Sequence, residues 1–267
     1  YLYGAPGSNL TMEGELELQS TWSYPGFETF TFGLNDEPNF QSYEAFVDLP
    51  ATDEAGAAEL PLYLPAMETT TRPMQMVVRL RMADGSGRPV ERELTRVLMP
   101  AAPTIGIKPL FDWTLGENEN AAFDIATLNP DLTPRTNAPL TWVMNRVNRR
   151  YQWFSNDGNW RWEPVTTRTR ISAGELSTDA NGKARIDTPV QWGRYELRLI
   201  GADGEMLPSS TSFYVGWYGA EGRTDTPDLL QVALDKSAYA PGDTALLRVD
   251  ARMDGIALVR VVTDRLV

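Results

Sequence analysis

Apolar and polar residues alternate with a period of two along most of this chain, in short runs broken by Gly, Pro, Asn and Asp. That period places successive side chains on opposite faces of a strand and predicts half-buried β-structure. Leu16 and Leu18 alternate with Glu15, Glu17 and Gln19; Phe30 and Phe32 with Thr29 and Thr31; Leu60, Leu62 and Leu64 continue the pattern. Met74 to Met82 is the most regular run, its even positions apolar and Arg79 and Arg81 expected to face water. Val90, Leu94 and Leu98 complete a first unit, closed by Pro100 and Pro103, which resist both helix and central strand. A second unit repeats the style through Ile105 and Ile107, Ala121, Phe123 and Ile125, Leu140, Trp142 and Met144, Tyr195, Leu197 and Leu199, and Phe213, Val215 and Trp217. No long run of 3.6-residue period competes, so the expected fold is all-β, as tandem antiparallel β-sandwiches of immunoglobulin-like or fibronectin-like architecture. The expected boundaries are 1–102 and 103–217, then a polar Gly/Pro-bearing linker at 218–228 and a strand-rich remainder at 229–267.

The turns between runs have mechanisms of their own. Tyr24-Pro25-Gly26, Asp53 to Gly56, Asp84 to Pro89 and Asp179 to Gly182 carry the residues that accept positive φ or preset a bend. In the last stretch, Leu230, Val232 and Leu234 precede Pro241-Gly242-Asp243, where proline suits the second position of a type II turn and glycine the third. Ala245, Leu247, Val249 and Ala251 follow, and the Asp254-Gly255 turn predicts a third strand from Ile256 to Val262. Three strands in about forty residues fall below the size at which burial offsets chain entropy. This stretch therefore needs a partner edge, a neighbouring sandwich or further chain.

Composition narrows the chemistry. The chain has 267 residues, 42% hydrophobic and 22% charged, the balance of an ordinary globular protein. No run of 18 apolar residues is present, so no membrane-embedded segment is expected. With 24 Lys and Arg against 36 Asp and Glu, the net charge of −12 repels phosphate backbones and argues against nucleic-acid partners. Cysteine and histidine are both absent. That removes disulfides, thiol nucleophiles, imidazole bases and Cys/His zinc sites, leaving carboxylates, Lys and Tyr as the only candidates for catalysis. Asp36-Glu37 and Asp53-Glu54 sit in turn-like segments and read as solvated turn residues, not as an acid/base pair. Asp84, Asp157, Asp179 and Asp254 lie beside or near Gly without a calcium-ligand spacing. Gly85-Ser-Gly87 lies in a hairpin turn with no following helix, unlike a phosphate cradle. No catalytic, cofactor or metal residue is assigned, and no enzymatic activity is expected. One candidate contact surface stands out. Tyr151 and Trp153 are separated from Trp160 and Trp162 by Asn156-Asp157-Gly158-Asn159, a hairpin with aromatic rings on both arms. These four rings either pack as core or stand exposed to stack on sugars or anchor a protein.

Several segments together resemble a known family. Leu234-Asp235-Lys236 through Tyr239 and Pro241-Gly242-Asp243, followed by Gly255-Ile-Ala257-Leu258, is similar to the opening of a macroglobulin-type domain in the bacterial α2-macroglobulin family. Tyr1-Leu-Tyr3-Gly4-Ala-Pro6 resembles the start of another such domain. Tyr151 to Trp160 and Phe213 to Trp217 resemble the domain between them. The resemblance implies a large periplasmic protein, often an inner-membrane lipoprotein, built from many macroglobulin β-sandwiches. Its partners would be target proteases, which cut a bait segment, set off a rearrangement and are trapped. Many members also bind the protease covalently through a Cys/Gln thioester. On this reading residues 229–267 open a domain that the bait region interrupts, and the chain is a scaffold fragment carrying neither bait nor thioester. The rival expectation is a cell-surface adhesin or carbohydrate-binding module using the Trp hairpin, in which case glycan binding would vanish on Trp160→Ala. Limited proteolysis tests the organisation: the first cuts are expected within Tyr218–Asp228 and the third unit, with residues 1–217 cut slowly. Early cleavage inside 103–217 would contradict it.

Overall fold

The structure is a computed structural model and describes residues 6–64, 70–83, 89–112, 114–116, 119–156, 159–216, 218–219, 231–236, 238–250, 256 and 258. The strands are β1 (Met12–Ser20), β2 (Thr31–Phe32), β3 (Gln41–Ala45), β4 (Met74–Ala83), β5 (Pro89–Leu98), β6 (Thr104–Pro109), β7 (Thr114–Leu115), β8 (Asn120–Leu128), β9 (Pro139–Asn156), β10 (Asn159–Ser177), β11 (Lys183–Pro189), β12 (Gly193–Gly201), β13 (Ser209–Val215), β14 (Tyr218–Gly219), β15 (Gln231–Leu234) and β16 (Leu247–Asp250). They form four sheets, in the orders β3-β1-β4-β5, β10-β9-β12-β13-β7, β11-β8-β6-β2 and β14-β15-β16. Every pairing is antiparallel except that of β7 with β13. The all-β fold follows directly from the period-two pattern.

In the first sheet, Leu16 lies opposite Val78 and Leu18 opposite Met76, and both leucines are buried. The residues that cover this core are Phe46 and Leu62, which come from chain outside any strand. The run Leu60, Leu62, Leu64 is thus not the strand its alternation suggests. Pro61 lacks the N–H that a ladder needs, so the segment packs through Leu62 while Leu64 stays exposed. Arg79 also departs from its water-facing expectation, because Glu15, Glu17 and Glu93 surround it.

The second and third sheets face each other as a sandwich. Ile105, Ile107, Phe123 and Ile125 from one layer meet Leu140, Met144, Tyr195, Leu197, Leu199 and Phe213 from the other, all buried. At about 1.5–3 kcal/mol for each large apolar side chain removed from water, this is the main source of stability. Phe111, Phe123 and Phe213 form a ring triad at 5.2–5.4 Å, with Tyr195 stacked on Phe213. The β9–β10 hairpin overshoots this sandwich. Its two strands stay paired to Asn156 and Asn159, whereas β12 accompanies β9 only as far as Val147.

The first two units exchange structure. Strand β2 lies in the 1–102 segment but pairs with β6, Thr31 opposite Ile107 and Phe32 opposite Gly106. A Cβ on Gly106 would sit 2.7 Å from the Phe32 ring, so only glycine lets that ring lie flat on β6. Phe32 joins Tyr24 and Leu128 in a small core shared by both units. Edge-on contact between Tyr24 and Phe32 at 4.9 Å completes it. The dry surroundings push the Tyr24 phenol well above its ordinary range.

The last sheet behaves as a small unit should. Asp243 N–H donates to the Ala240 carbonyl at 3.0 Å and Gly242 has φ of 97°, the type II geometry expected of Pro-Gly. The face expected to be buried is not. Val232 and Leu234 are exposed while Ala233 between them is buried, since nothing described covers the outer face of β15. Ile256 and Leu258 belong to no strand, and the rest of the expected third strand lies outside the described residues. Replacing Phe32 with Ala is expected to cost about 3–5 kcal/mol. Because both units share that core, thermal unfolding should lower both transitions together. A loss confined to one transition would show the two units to be independent.

Candidate functional site

The most densely built polar constellation is the seam between the first two units. Gly33 has φ of 80°, and a Cβ there would lie 2.7 Å from the Thr71 carbonyl oxygen, so the chain can turn here only as glycine. Gly33 N–H donates to Ser209 Oγ at 2.7 Å, and Ser210 N–H donates to the Gly33 carbonyl at 3.0 Å. Asn35 N–H donates to Ser210 Oγ at 3.0 Å and its side-chain amide to Ser212 Oγ at 2.6 Å. From the other side the buried Arg72 donates to the carbonyls of Leu34 and Asn35, each at 3.1 Å. Its guanidinium rests 3.9 Å over the Trp22 ring. Glu37 accepts from the hydroxyls of Thr70 and Thr71 and from the Thr71 N–H. Burial raises its pKa, but these hydrogen bonds outweigh that and hold the carboxyl below its ordinary value.

Asp36 continues the seam into the hairpin. Arg168 on β10 reaches Asp36 at 3.1 Å and Glu196 on β12 at 2.6 Å. Glu196 is 2% exposed, and its second oxygen finds no partner among the described residues. The pair Asp36-Glu37 is therefore neither an acid/base couple nor a merely solvated turn: Asp36 ties one unit to the other through Arg168, and Glu37 braces the loop within the first. Asp53 matches its expectation, its carboxylate accepting the N–H groups of Ala55 and Ala57.

The four sequence-predicted contact residues all lie on the overshooting hairpin. The register sets Trp153 opposite Trp162, Tyr151 opposite Pro164, and Trp160 opposite Ser155, so all four share the same parity of one ladder. Their side chains lie outside the described ones, as do positions 157–158 between the strands. A bulge at Ile171 shifts the register between Arg170 and Ser172, near where the hairpin joins the sandwich.

A cleft of about 430 Å³ opens beside the first sheet, lined by Glu13, Glu15, Glu91, Arg79, Arg81 and Phe46 among others. Of its lining carboxylates, Glu15 and Glu91 are partnered rather than poised. Arg79 holds Glu15 at 3.1 Å, Glu17 at 2.8 Å and Glu93 at 3.0 Å, and Arg81 holds Glu91 at 2.7 Å. Among the described residues, no three acidic side chains gather as a metal site would require, and no helix is long and apolar enough to cross a membrane. In the last sheet, Tyr239 donates to Asp235 at 2.5 Å, and the same carboxylate takes the Leu246 N–H at 2.8 Å. These residues brace the loop around the Pro-Gly turn.

Sequence reasoning missed the seam because its partners lie 175–177 residues apart. The available signal was local: a Gly-Leu-Asn-Asp turn, and the hydroxyl-rich run Ser209-Ser210-Thr211-Ser212 in a strand otherwise expected to be apolar.

Residues 1–100 match the family described as the bacterial α2-macroglobulin MG5 domain, and residues 106–217 that described as bacterial macroglobulin domain 6. The α2-macroglobulin of Xylella fastidiosa (strain Temecula1) is 30% identical over 290 residues, covering 99% of this chain and 16% of its own length. The native conformation of Escherichia coli α2-macroglobulin superposes with a TM-score of 0.66 at 26% identity, covering 94% of this chain and 17% of that one. The trypsin-activated Escherichia coli protein gives a TM-score of 0.57 at 25% identity, covering 92% and 17% respectively. The chain thus spans about a sixth of the length of the relatives it matches.

Acid stability probes the Arg79 network. The Gln41 amide holds the buried Glu17 carboxyl below its ordinary value of 4.5; burial opposes this, and Arg79 and Tyr43 reinforce it. A carboxyl depressed on folding contributes stability that is complete above its unfolded pKa and is lost as pH falls through its folded one. Glu17→Gln should therefore lower the denaturant midpoint at neutral pH and flatten its decline below about pH 4.5. Unchanged acid sensitivity would show the network to be inert.

Proposed function

Since the chain belongs to the bacterial α2-macroglobulin family, we propose that it is a structural scaffold segment of a broad-spectrum protease inhibitor that traps proteases after bait cleavage. The observation that carries this reading is the ordered match of two successive macroglobulin families to one strand-only chain. The seam supports it: the side chains of Asn35, Asp36, Arg168, Ser209, Ser210 and Ser212 are committed to holding units together. A solved relative in trypsin-activated form is consistent with proteases as partners of the parent. In this reading, 1–102 and 103–217 are macroglobulin-like units, 218–228 links them onward, and 229–267 begins a third domain interrupted by the bait. The segment itself catalyses nothing. Its partners are neighbouring macroglobulin domains, and target proteases engage other parts of the parent, which resides in the periplasm as an inner-membrane lipoprotein.

The full-length parent mixed with trypsin is expected to protect a folded protein substrate while a small peptide substrate is still cleaved. The 267-residue chain alone should protect neither. Inhibition by the isolated chain, or a parent that leaves the folded substrate unprotected, would sink the scaffold reading.

A further inference from the structure

Charge is distributed unevenly along this chain. Residues 1–71 contain twelve Asp and Glu and no Lys or Arg, so the whole net charge of −12 resides there and the remaining residues balance. Within that segment β3 is the outer strand of the first sheet and, among the described residues, pairs only with β1. Phe46 N–H donates to the Gly14 carbonyl and Ser20 N–H to the Phe40 carbonyl, which fixes the alternation. Even-numbered residues turn their backbone groups inward, and Gln41, Tyr43 and Ala45 turn theirs outward.

Natural sheets blunt such an edge with lysine, proline or a bulge. From Phe40 to Asp48 this one has no Lys, Arg or Pro, and its five-residue register with β1 runs without a shift. Glu44 and Asp48 are exposed beside it, with Tyr43 60% and Val47 80% exposed. An open ladder, flanking carboxylates and exposed apolar groups together describe a surface for strand addition. We infer that the free edge of β3 docks an extended, basic segment of a partner protein, which adds to the first sheet as a fifth strand. The backbone ladder supplies the register, Glu44 and Asp48 select Lys or Arg, and Tyr43 and Val47 cover apolar residues at alternate positions. The long β10 edge offers a contrast: Pro164, the bulge at Ile171, and Arg168 and Arg170 defend it.

A short peptide of alternating Val and Lys is the probe, read by titration and by amide hydrogen exchange on the 267-residue chain. Binding should protect the Gln41, Tyr43 and Ala45 amides and weaken as salt is raised. The same peptide N-methylated at alternate residues should bind at least about tenfold more weakly, since it keeps the charge and loses the ladder. Ala45→Pro should do likewise, removing an outward N–H that β1 does not use; the N-methylated peptide carries the test should that variant fold poorly. Equal binding of both peptides would overturn the proposal. So would protection of these amides by self-association without peptide, which would assign the edge to a second copy.

Discussion

A loop of five residues, Gly33 to Glu37, is gripped from both sides by chain that lies far away in sequence. Arg72 binds its carbonyls from the first unit, and Ser209, Ser210 and Ser212 bind it from the second. Each such hydrogen bond contributes only about 1 kcal/mol net, yet leaving a buried partner unmade costs more, so the set holds or fails together. The grip places Phe32 on β6, and Phe32 in turn closes the core formed with Tyr24 and Leu128. Apolar burial and polar capture thus act at the same seam. The units joined there cannot be separated without exposing an aromatic cluster and leaving the Gly33 N–H and the hydroxyls of Ser209 and Ser210 without their partners.

The same economy governs the other charges. Arg79 gathers three glutamates across the first sheet and Arg168 bridges two acids from different units. Exposed ion pairs contribute little stability individually. Their effect here is positional, because each arginine draws acidic side chains from separate segments to one point. A chain without histidine or cysteine has few groups for chemistry, and several of them are occupied in this way.

Much of the fold was legible because sandwich strands report their own burial: Leu16, Leu18, Ile105, Phe123 and Leu197 lie where alternation puts them. Turns were legible for a related reason, as Gly26, Gly182 and Gly242 occupy the positive φ that their sequence contexts demand. Alternation failed where a second condition overrode it. Pro61 vetoed a ladder, and among the described residues Val232 and Leu234 had no layer to pack on. The pairing across the seam was not legible, since the turn and the hydroxyl-rich run mark two ends but nothing in Gly33-Leu-Asn35-Asp36 names serines about 175 residues downstream. Family resemblance gave the order of the segments but was silent on β2 pairing with β6.

The overshooting hairpin has a mechanical meaning. Arg168 sits opposite Val147, the last residue of β9 that β12 supports, and anchors the hairpin's root to Asp36 of the first unit. Beyond that anchor nine residues of β9 continue to Asn156, roughly 30 Å at 3.3 Å per residue. Such an arm is a lever rooted in the β9–β12 ladder and tied to the first unit by a guanidinium. A tilt of about 10° at the root would displace the tip by about 5 Å, roughly the spacing between neighbouring strands. Small rotations that a packed seam can absorb without breaking would therefore be read out, magnified, at the aromatic end of the hairpin.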